Sequence, residues 1–265
     1  MMLTDEEAVI YNEGERLIPG RSHDYMEVRR HYGSYLFFKE VILADQAQSP
    51  VSDGPTIVDL GCGVGHGCST LAQSPGARVL GVDVSEESLA YARRHYDRPS
   101  ITWQQSDLVA FVESMPSFDY VVSRGVLEHI PNGIDLAVNA QWNRRLMFDV
   151  PYAEPRGRNP HHVLSEITEV DFARFTDAEL FFQDLAGVIY GAAQKPAGPN
   201  MILCACRKSG LTPVATLLSA ERFEVDWTRQ GPETFAPIAG CTSSLSGSRR
   251  QSLLKQWLRS WKSRR

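Results

Sequence analysis

Three successive apolar runs of this sequence each have an acidic residue near their end. Asp59 lies in IVDLGCGVGHG, Asp83 closes VLGVD, and Asp107 follows ITWQQS. A carboxylate at the end of a strand can accept hydrogen bonds from the two hydroxyls of a ribose, and another can accept from the exocyclic amine of an adenine. The three acids therefore predict a site for a ligand that contains adenosine, with Asp83 at the ribose and Asp107 at the adenine.

Glycines occupy every second position after the first apolar run, at Gly61, Gly63, Gly65 and Gly67. Glycine costs backbone entropy, so this density predicts a turn where side chains would collide with a bound molecule. The spacing G-x-G-x-G differs from the G-x-G-x-x-G of dinucleotide sites. Asp59 is also a poor neighbour for a pyrophosphate and a good one for an ammonium group. These features disfavour an oxidoreductase or epimerase that uses a nicotinamide dinucleotide, which remains one alternative.

Alternating apolar and helix-like runs predict the elements that position these residues. A first helix is predicted over 27–43, and further helices over 65–73, 85–96, 107–114, 132–141 and 176–185. Strands are predicted at 56–61, 79–84, 101–105, 118–123, 145–152, 186–191 and 201–206. Continuous apolar strands separated by helices indicate an α/β fold with a parallel sheet covered on both faces. The linker between the last two strands is too short for a helical crossover, so these strands should form an antiparallel hairpin. The predicted fold is a Rossmann-like, seven-stranded, mostly parallel sheet.

Composition and charge divide the 265 residues unevenly. The hydrophobic content of 43% and charged content of 22% are typical of globular proteins. Seven of the 27 basic residues and no acidic residue follow Glu233, so the rest of the chain carries 20 basic against 32 acidic residues, a net charge of −12. This charge argues against binding of nucleic acid. We expect an N-terminal helical segment covering the cofactor site (1–49), a core (50–209) and an irregular extension (210–265).

The last residues, 248–265, predict a basic amphipathic helix with leucine and tryptophan on one face. Such a helix can lie on an anionic membrane surface or on an acidic partner, or it can dock on the acidic body of its own chain. The N-terminus lacks the pattern of a secretory signal. The expected location is therefore the cytoplasm, with peripheral contact to the inner face of the membrane as one use of this helix.

The motifs VDLGCGVG, VLGVDVS, SDL and FDYVVSRGVLEHI resemble, in order and spacing, those of class I S-adenosylmethionine-dependent methyltransferases. The resemblance covers about residues 50–206, and the ending EHI is similar to quinone-biosynthesis methyltransferases. A weaker likeness over 14–38 is to bacterial methyltransferases associated with polysaccharides and glycolipids. The turn that usually precedes the fifth strand in this family is replaced by AQWNRRLMFDVPY. The resemblance therefore implies less about the acceptor site than about the cofactor site.

The resemblance implies S-adenosylmethionine as the cofactor and assigns its contacts. Asp59 and the turn glycines would hold the methionine portion, Asp83 the ribose, and Asp107 with Leu108 the adenine. Ser123 and Arg124 would line the methionine portion or the transferred methyl group. The full set implied for the cofactor is Asp59, Gly61, Cys62, Gly63, Gly65, Asp83, Val84, Ser106, Asp107, Leu108, Ser123 and Arg124.

The acceptor is expected under the polar segment 150–168, which follows the fifth strand and should form a loop over the carboxyl edge of the sheet. A hydroxyl acceptor must lose a proton, and imidazole is a base of suitable strength near neutrality. His129, His161 and His162 are the candidate catalytic residues. No metal is predicted, although Glu128 and Asp149 could instead hold a divalent ion for a sugar diol.

The predicted function is O-methylation of a hydroxyl on a sugar, glycan, glycolipid or related metabolite. Two alternatives stay open besides the nicotinamide enzyme. One is an N- or C-methyltransferase of a small molecule, for which a base is optional. The other is a non-catalytic partner subunit that binds S-adenosylmethionine.

Overall fold

The structure is a computed structural model that describes residues 3–12, 16–19 and 25–227. Nine strands form its sheet: β1 Thr56–Leu60, β2 Arg78–Asp83, β3 Ile101–Gln105, β4 Phe118–Arg124, β5 Trp142–Pro151, β6 Ala178–Gln183, β7 Ile189–Gly191, β8 Met201–Arg207 and β9 Arg222–Phe223. The α-helices among the described residues are α1 Asp5–Asn12, α2 Tyr25–Gln48, α3 His66–Leu71, α4 Glu86–His95, α5 Leu108–Ser114, α6 Gly133–Asn139 and α7 Val214–Leu217.

The sheet has the strand order β3-β2-β1-β4-β5-β8-β6-β7-β9. The five strands from β3 to β5 pair in parallel, and β8 runs antiparallel between β5 and β6. The α/β fold with a mostly parallel sheet and antiparallel C-terminal strands is therefore confirmed. Because the first five strands are parallel, their carboxyl ends and the residues that follow them meet at one edge.

The predicted helix over 176–185 is wrong, because this segment contains strand β6. Phe181 packs on Phe37 of α2, with ring centroids 5.1 Å apart, while Phe182 packs on Tyr152 on the other face, at 5.7 Å. Both faces of the strand are buried by apolar groups, so its sequence is a short apolar run without alternation. Such a run cannot be distinguished from a buried helix by its period.

The missing strand also makes the predicted hairpin wrong. Strand β7 pairs with β6 and not with β8, and β6 lies between them in the sheet. The true hairpin turns at Asp184–Gly187, where the Asp184 carboxylate accepts hydrogen bonds from the backbone N–H groups of Ala186 and Val188 at 2.8 and 3.0 Å. The short strand β9 pairs with β7 and brings the total to nine strands instead of seven.

Helices cover both faces of the sheet, each over its own apolar cluster. One cluster joins α2, α3 and α4 to the sheet, and the other joins α5 and α6 to the opposite face. The C-terminal end of α2 is fixed by a buried ion pair. Arg145, which is fully buried, donates to Asp45 at 2.7 Å, and Tyr120 donates to the same carboxylate at 2.7 Å. The helix is thereby held against β4 and β5.

The described residues contain no helix with the length and apolarity required to cross a membrane. The predicted basic helix in 248–265 lies outside the described residues. The division of the chain into 1–49, 50–209 and 210–265 stays a prediction.

Candidate active site

A cleft of about 560 Å³ opens at the carboxyl edge of the parallel strands, between helix α2 and the loop after β5. This volume is in the range of small-molecule sites. Residues predicted for both substrates lie on its wall. Those of the predicted cofactor set are Gly61, Cys62, Gly63, Asp83, Val84, Asp107, Leu108 and Arg124, and those of the predicted catalytic set are His129, His161 and His162.

Four members of the predicted cofactor set are not on this wall: Asp59, Gly65, Ser106 and Ser123. Ser123 is buried, and its hydroxyl donates to the Leu60 carbonyl at 2.9 Å, so it joins β4 to β1 from within the sheet. The Ser106 hydroxyl donates to the carbonyl of Asp107 at 3.0 Å. Both hydroxyls therefore have hydrogen bonds within the fold.

Side chains are excluded at the glycines of the turn for different steric reasons. A Cβ atom on Gly61 would lie 2.4 Å from a Val126 methyl group, and one on Gly65 would lie 2.5 Å from the Trp103 ring. A Cβ on Gly67 would lie 2.0 Å from the Tyr35 ring of α2. Packing by the protein itself therefore accounts for these three positions, which differs from the expectation that a ligand alone excludes side chains there.

Gly63 is the glycine of the turn at which the absence of a side chain leaves open space, as the sequence predicts for a ligand site. Its φ of +51° lies in the left-handed region that favours glycine, and the nearest heavy atom to a Cβ there is Cγ of Arg16, at 3.9 Å. A side chain at this position would enter the cleft. Gly63 is thus the glycine of the turn that keeps the cleft free.

Asp83 ends β2 on the wall of the cleft, and three donors of the protein hold its carboxylate. The N–H of Gly63 donates to Oδ2 at 2.8 Å, and the N–H of Ser85 donates to Oδ1 at 2.9 Å. Arg16 donates to Oδ1 at 3.1 Å. A carboxylate offers about four acceptor sites. One site on Oδ2 therefore remains for a ligand, and a second would require displacement of Arg16.

Asp59 is fully buried beneath the turn and does not reach the cleft. Tyr35 and Cys68 each donate to its carboxylate at 3.3 Å. Burial raises the pKa of Asp59 to about 7, the nearby charge of Asp83 acts in the same direction, and the two hydrogen bonds partly oppose them. Its observed contacts place it in the support of the turn. A direct contact with a cofactor stays a prediction.

The predicted adenine end of the cleft is formed by the start of α5. Asp107 is the N-cap of this helix, and its Oδ1 accepts from the N–H of Ala110 at 3.1 Å. Its side chain is exposed, while Leu108 beside it is buried. Val84, which is 58% exposed, contributes an apolar surface across the cleft. A flat apolar group with a polar edge could be held between these residues.

Arg124 ends β4 on the wall of the cleft. Its guanidinium contacts Nε2 of His31 at 2.7 Å and lies 3.8 Å from the buried Asp149 carboxylate. The N–H of Gly125 donates to Asp149 at 2.9 Å. Burial raises the pKa of Asp149, although the charge of Arg124 opposes this shift. Asp149 therefore orients Arg124 toward the cleft.

The loop after β5 covers the other end of the cleft, as expected. The N–H groups of Val163 and Leu164 donate to the Glu128 carbonyl at 2.9 and 3.0 Å, which ties the loop to the turn after β4. As a result the rings of His129 and His162 meet edge to face, with centroids 4.7 Å apart. Both histidines and His161 line the cleft. Two histidine-bearing segments distant in sequence are thus brought together.

Glu128 lies buried beside these histidines on the wall of the cleft, with 2% of its surface exposed. Burial raises the pKa of its carboxyl to about 8, and the charges of Asp149 and Glu154 add to this shift. The sequence prediction considered Glu128 together with Asp149. The structure instead groups it with His129 and His162.

Sequence reasoning missed Arg16, His31, Glu154 and Asn159 as residues of this region. Arg16, His31 and Asn159 line the cleft, and Glu154 contacts His162 on its wall. Arg16, Glu154 and Asn159 have partners that are far away in the sequence or depend on loop geometry, so no periodic pattern marks them. His31 lies in a predicted helix, one turn before the buried Tyr35, and this helical spacing was the signal that could have found it.

A family profile described as a methyltransferase domain matches residues 57–147. Over 87 residues the chain is 39% identical to trans-aconitate 2-methyltransferase of an Azoarcus species, which covers 32% of this chain and 33% of that protein. It is 38% identical over 82 residues to ubiquinone biosynthesis O-methyltransferase of Pseudomonas fluorescens, covering 30% of this chain and 35% of that protein. The chain thus matches about a third of the length of these relatives.

A solved structure of similar fold is the plantazolicin methyltransferase BpumL in complex with S-adenosylhomocysteine and a monoazolic desmethylPZN analog. Its TM-score is 0.52 with 13% sequence identity, and the match covers 77% of this chain and 91% of that one. This likeness concerns the fold alone. Residues 57–147 thus match the profile of a methyltransferase domain, and the described chain has a Rossmann-like α/β fold.

Proposed function

We propose that this chain is an S-adenosylmethionine-dependent O-methyltransferase whose acceptor is a hydroxyl on a sugar, glycan, glycolipid or related metabolite. The observation that carries this proposal is a single cleft with two chemically different ends. Gly63, Asp83 and Asp107 lie on its wall at one end, and His129 and His161 lie on its wall under the loop after β5. A donor and an acceptor bound in one cleft could be aligned for transfer.

The donor end fits S-adenosylmethionine in shape and in donor–acceptor chemistry. The open side of Gly63 leaves room for a group close to the backbone. Asp83 keeps a free acceptor site for a ribose hydroxyl, and Val84 with Leu108 offers apolar surface for an adenine. When bound, the cofactor supplies an electrophilic methyl group on a sulfonium.

The acceptor end is polar, which favours a hydroxylated acceptor over an apolar one. Arg124, Asn159 and three histidines are among the residues on its wall. Methyl transfer to a hydroxyl oxygen forms an ether only if the hydroxyl proton leaves, so a base is required. No described residue hydrogen-bonds to the ring of His161, whereas those of His129 and His162 are engaged through Nδ1. We assign proton acceptance to His161.

The names of the relatives differ in their acceptors, so the acceptor class proposed here rests on the cleft of this chain. The ubiquinone biosynthesis O-methyltransferase supports transfer to oxygen, by analogy over the matched third of its length. Prolines and polar groups in the loop after β5 favour a shaped, hydrogen-bonding acceptor such as a sugar.

The experiment that tests the proposal separates donor binding from transfer. Calorimetry should show binding of S-adenosylhomocysteine and none of NAD. Labelled S-adenosylmethionine is then offered with sugars, lipid-linked glycans, phenols and amines, and label should enter hydroxyl acceptors. Label in amines alone would refute O-methylation, and donor binding without transfer to any acceptor class would favour a non-catalytic subunit.

The role of His161 has its own matched comparison. His161→Ala should lower kcat by about 10²- to 10⁴-fold, the usual contribution of a general base, and should leave the affinity for S-adenosylhomocysteine unchanged. His95→Ala, on helix α4, removes an imidazole that does not line the cleft and should leave kcat unchanged. Equal kcat in the two variants would refute the assignment.

We also propose that residues 248–265 bring the protein to an anionic membrane surface in the cytoplasm, where a glycolipid acceptor would be found. The support is the sequence pattern of cations opposite apolar residues. Co-sedimentation with vesicles containing anionic lipid should fall when Lys255, Arg259 and Lys262 are changed to glutamate. Equal sedimentation of the full chain and this variant would contradict the proposal.

A further inference from the structure

The geometry points to a divalent-metal site formed by Glu128, His129 and His162 at the acceptor end of the cleft. One ligand atom from each of these residues lies within 4.8 Å of the other two, and all three residues line the cleft. Two imidazole nitrogens and one carboxylate oxygen form a ligand set that holds divalent metals in enzymes.

The contacts of the two imidazoles place the ring proton on Nδ1, so Nε2 is the nitrogen of each ring that could bind an ion. Nδ1 of His129 lies 3.1 Å from the carbonyl oxygen of His161, which can only accept, so Nδ1 carries the proton. Nδ1 of His162 contacts the Glu154 carboxylate in the same way. The Asn159 amide nitrogen, a donor, lies 3.1 Å from Nε2 of His162, so an ion bound by His162 would displace this amide. The Nδ1 contacts are the outer partners that fix the tautomer and the ring orientation of metal-binding histidines.

The carboxylate of Glu128 completes this set. It is buried, and its Oε2 has no hydrogen-bond partner among the residues that the structure describes. A buried carboxylate oxygen without a partner is costly unless a cation or donor satisfies it. The backbone of Glu128 also fixes the position of the third ligand, because its carbonyl accepts from the N–H of Val163, next to His162. The ligand set is therefore held by the chain before any ion binds.

The ligand types select the class of ion. Imidazole nitrogen suits Zn²⁺ and Fe²⁺, the carboxylate oxygen also suits Mn²⁺, and Mg²⁺ prefers a site made of oxygen ligands and water. Three protein ligands leave coordination positions open, and all three residues line the cleft. An acceptor hydroxyl bound there would lose its proton more easily, since a bound cation favours the anionic oxygen. This last use rests on the proposed function, whereas ion binding itself does not.

Ion binding can be measured on the full chain without cofactor or acceptor. After dialysis against a chelator, calorimetric titration with Zn²⁺ and with Mn²⁺ should show one site per chain. Glu128→Gln and His162→Ala should each weaken this binding by at least about tenfold, because loss of an outer partner of a ligand already costs about that much. His161→Ala is the matched control, because it removes a neighbouring imidazole outside the ligand set, and it should bind the ion as the unmodified chain does.

A spectroscopic signature and a folding control complete the test. Mn²⁺ bound to the unmodified chain should show magnetic coupling to imidazole nitrogen, which His162→Ala should reduce. Thermal unfolding checks that each variant is folded. No binding at millimolar ion, or equal binding in all variants, would overturn the proposal. Binding of S-adenosylhomocysteine is measured on the same samples, so failure of the metal site and failure of the proposed function are distinguishable.

Discussion

Gly63 offers a sharp test of where the donor binds. The change Gly63→Ala adds one methyl group that meets no protein atom closer than Cγ of Arg16, at 3.9 Å. The backbone already has φ of +51° there, so alanine should lower the free energy of unfolding by about 1–2 kcal/mol, the cost of the left-handed conformation. The protein should therefore fold, with a methyl group projecting into the cleft.

The affinity for S-adenosylhomocysteine should fall much more than this strain explains. A methyl group forced into a packed contact typically costs about 1–3 kcal/mol. This corresponds to about a 5- to 150-fold increase in Kd. Calorimetric titration measures the affinity, and denaturant unfolding of the same samples measures the stability.

Two other glycines provide controls for the Gly63→Ala variant. Gly210 has φ of +89° and no atom within 4 Å of the place that a methyl group would take, so Gly210→Ala carries similar backbone strain away from the cleft. It should bind S-adenosylhomocysteine as the unmodified chain does. Gly67→Ala would place a methyl group 2.0 Å from the Tyr35 ring and should mainly lower stability. Equal donor affinity in the Gly63 and Gly210 variants would refute a donor site at this turn.

Three further predictions concern charged groups. Arg16→Ala should tighten binding of S-adenosylhomocysteine by up to about fivefold, because it frees an acceptor site on Asp83 at the cost of one partly exposed ion pair; weaker binding would show instead that Arg16 contacts the donor. Asp45→Asn should lower the free energy of unfolding by about 3–5 kcal/mol in denaturant titrations, since Arg145 would remain buried without its counter-charge. Burial raises the pKa of Asp59 to about 7, above its value of about 3.9 in the unfolded chain. This raised pKa stabilises the folded chain fully below about pH 4, and the stabilisation is lost as the pH rises to about 7. Between these two pH values the free energy of unfolding should therefore fall less in Asp59→Asn than in the unmodified chain. An equal fall in the two proteins would contradict the raised pKa.

The Asp45 prediction has a control in an exposed ion pair. Arg222 and Glu224 are about half exposed and 2.7 Å apart, so Glu224→Gln should change the free energy of unfolding by less than about 1 kcal/mol. A similar loss in both variants would show that burial does not set the strength of the Asp45–Arg145 pair.

The first five strands could be predicted because each is rich in apolar, aromatic or β-branched residues and ends in a change of residue type. Strand β3 has the predicted bounds, Ile101–Gln105. The parallel arrangement then brings the ends of β1, β2 and β3 to one edge, and Asp83 and Asp107 accordingly lie on one cleft. Strand β6 could not be predicted, because Phe181 and Phe182 are buried on opposite faces and give no alternation.

The hydrogen-bond partners of the site residues could not be predicted, because they arise from contacts between distant segments. Arg16 reaches Asp83 across 67 residues, and Tyr35 reaches Asp59 across 24. The sequence shows each acid but contains no local pattern that tells which donor will hold it. His162 was predicted as a catalytic residue, but its pairing with His129 depends on the loop contact to the Glu128 carbonyl.

The extent of the match to known proteins explains why the donor side is better defined than the acceptor side. The family profile covers residues 57–147, which contain β1 to β4, most of β5, the glycine turn and Asp83. The loop that carries His161 and His162 lies beyond this segment, and so does Arg16 on the other side of the cleft. The wall that would contact an acceptor is therefore built largely by parts of the chain that the profile does not include. Of the proposed metal ligands, Glu128 and His129 lie inside the matched segment, whereas His162 lies outside it. A relative that shares only the matched segment would thus have at most two of the three proposed metal ligands. The identity of its acceptor therefore does not predict the acceptor of this chain.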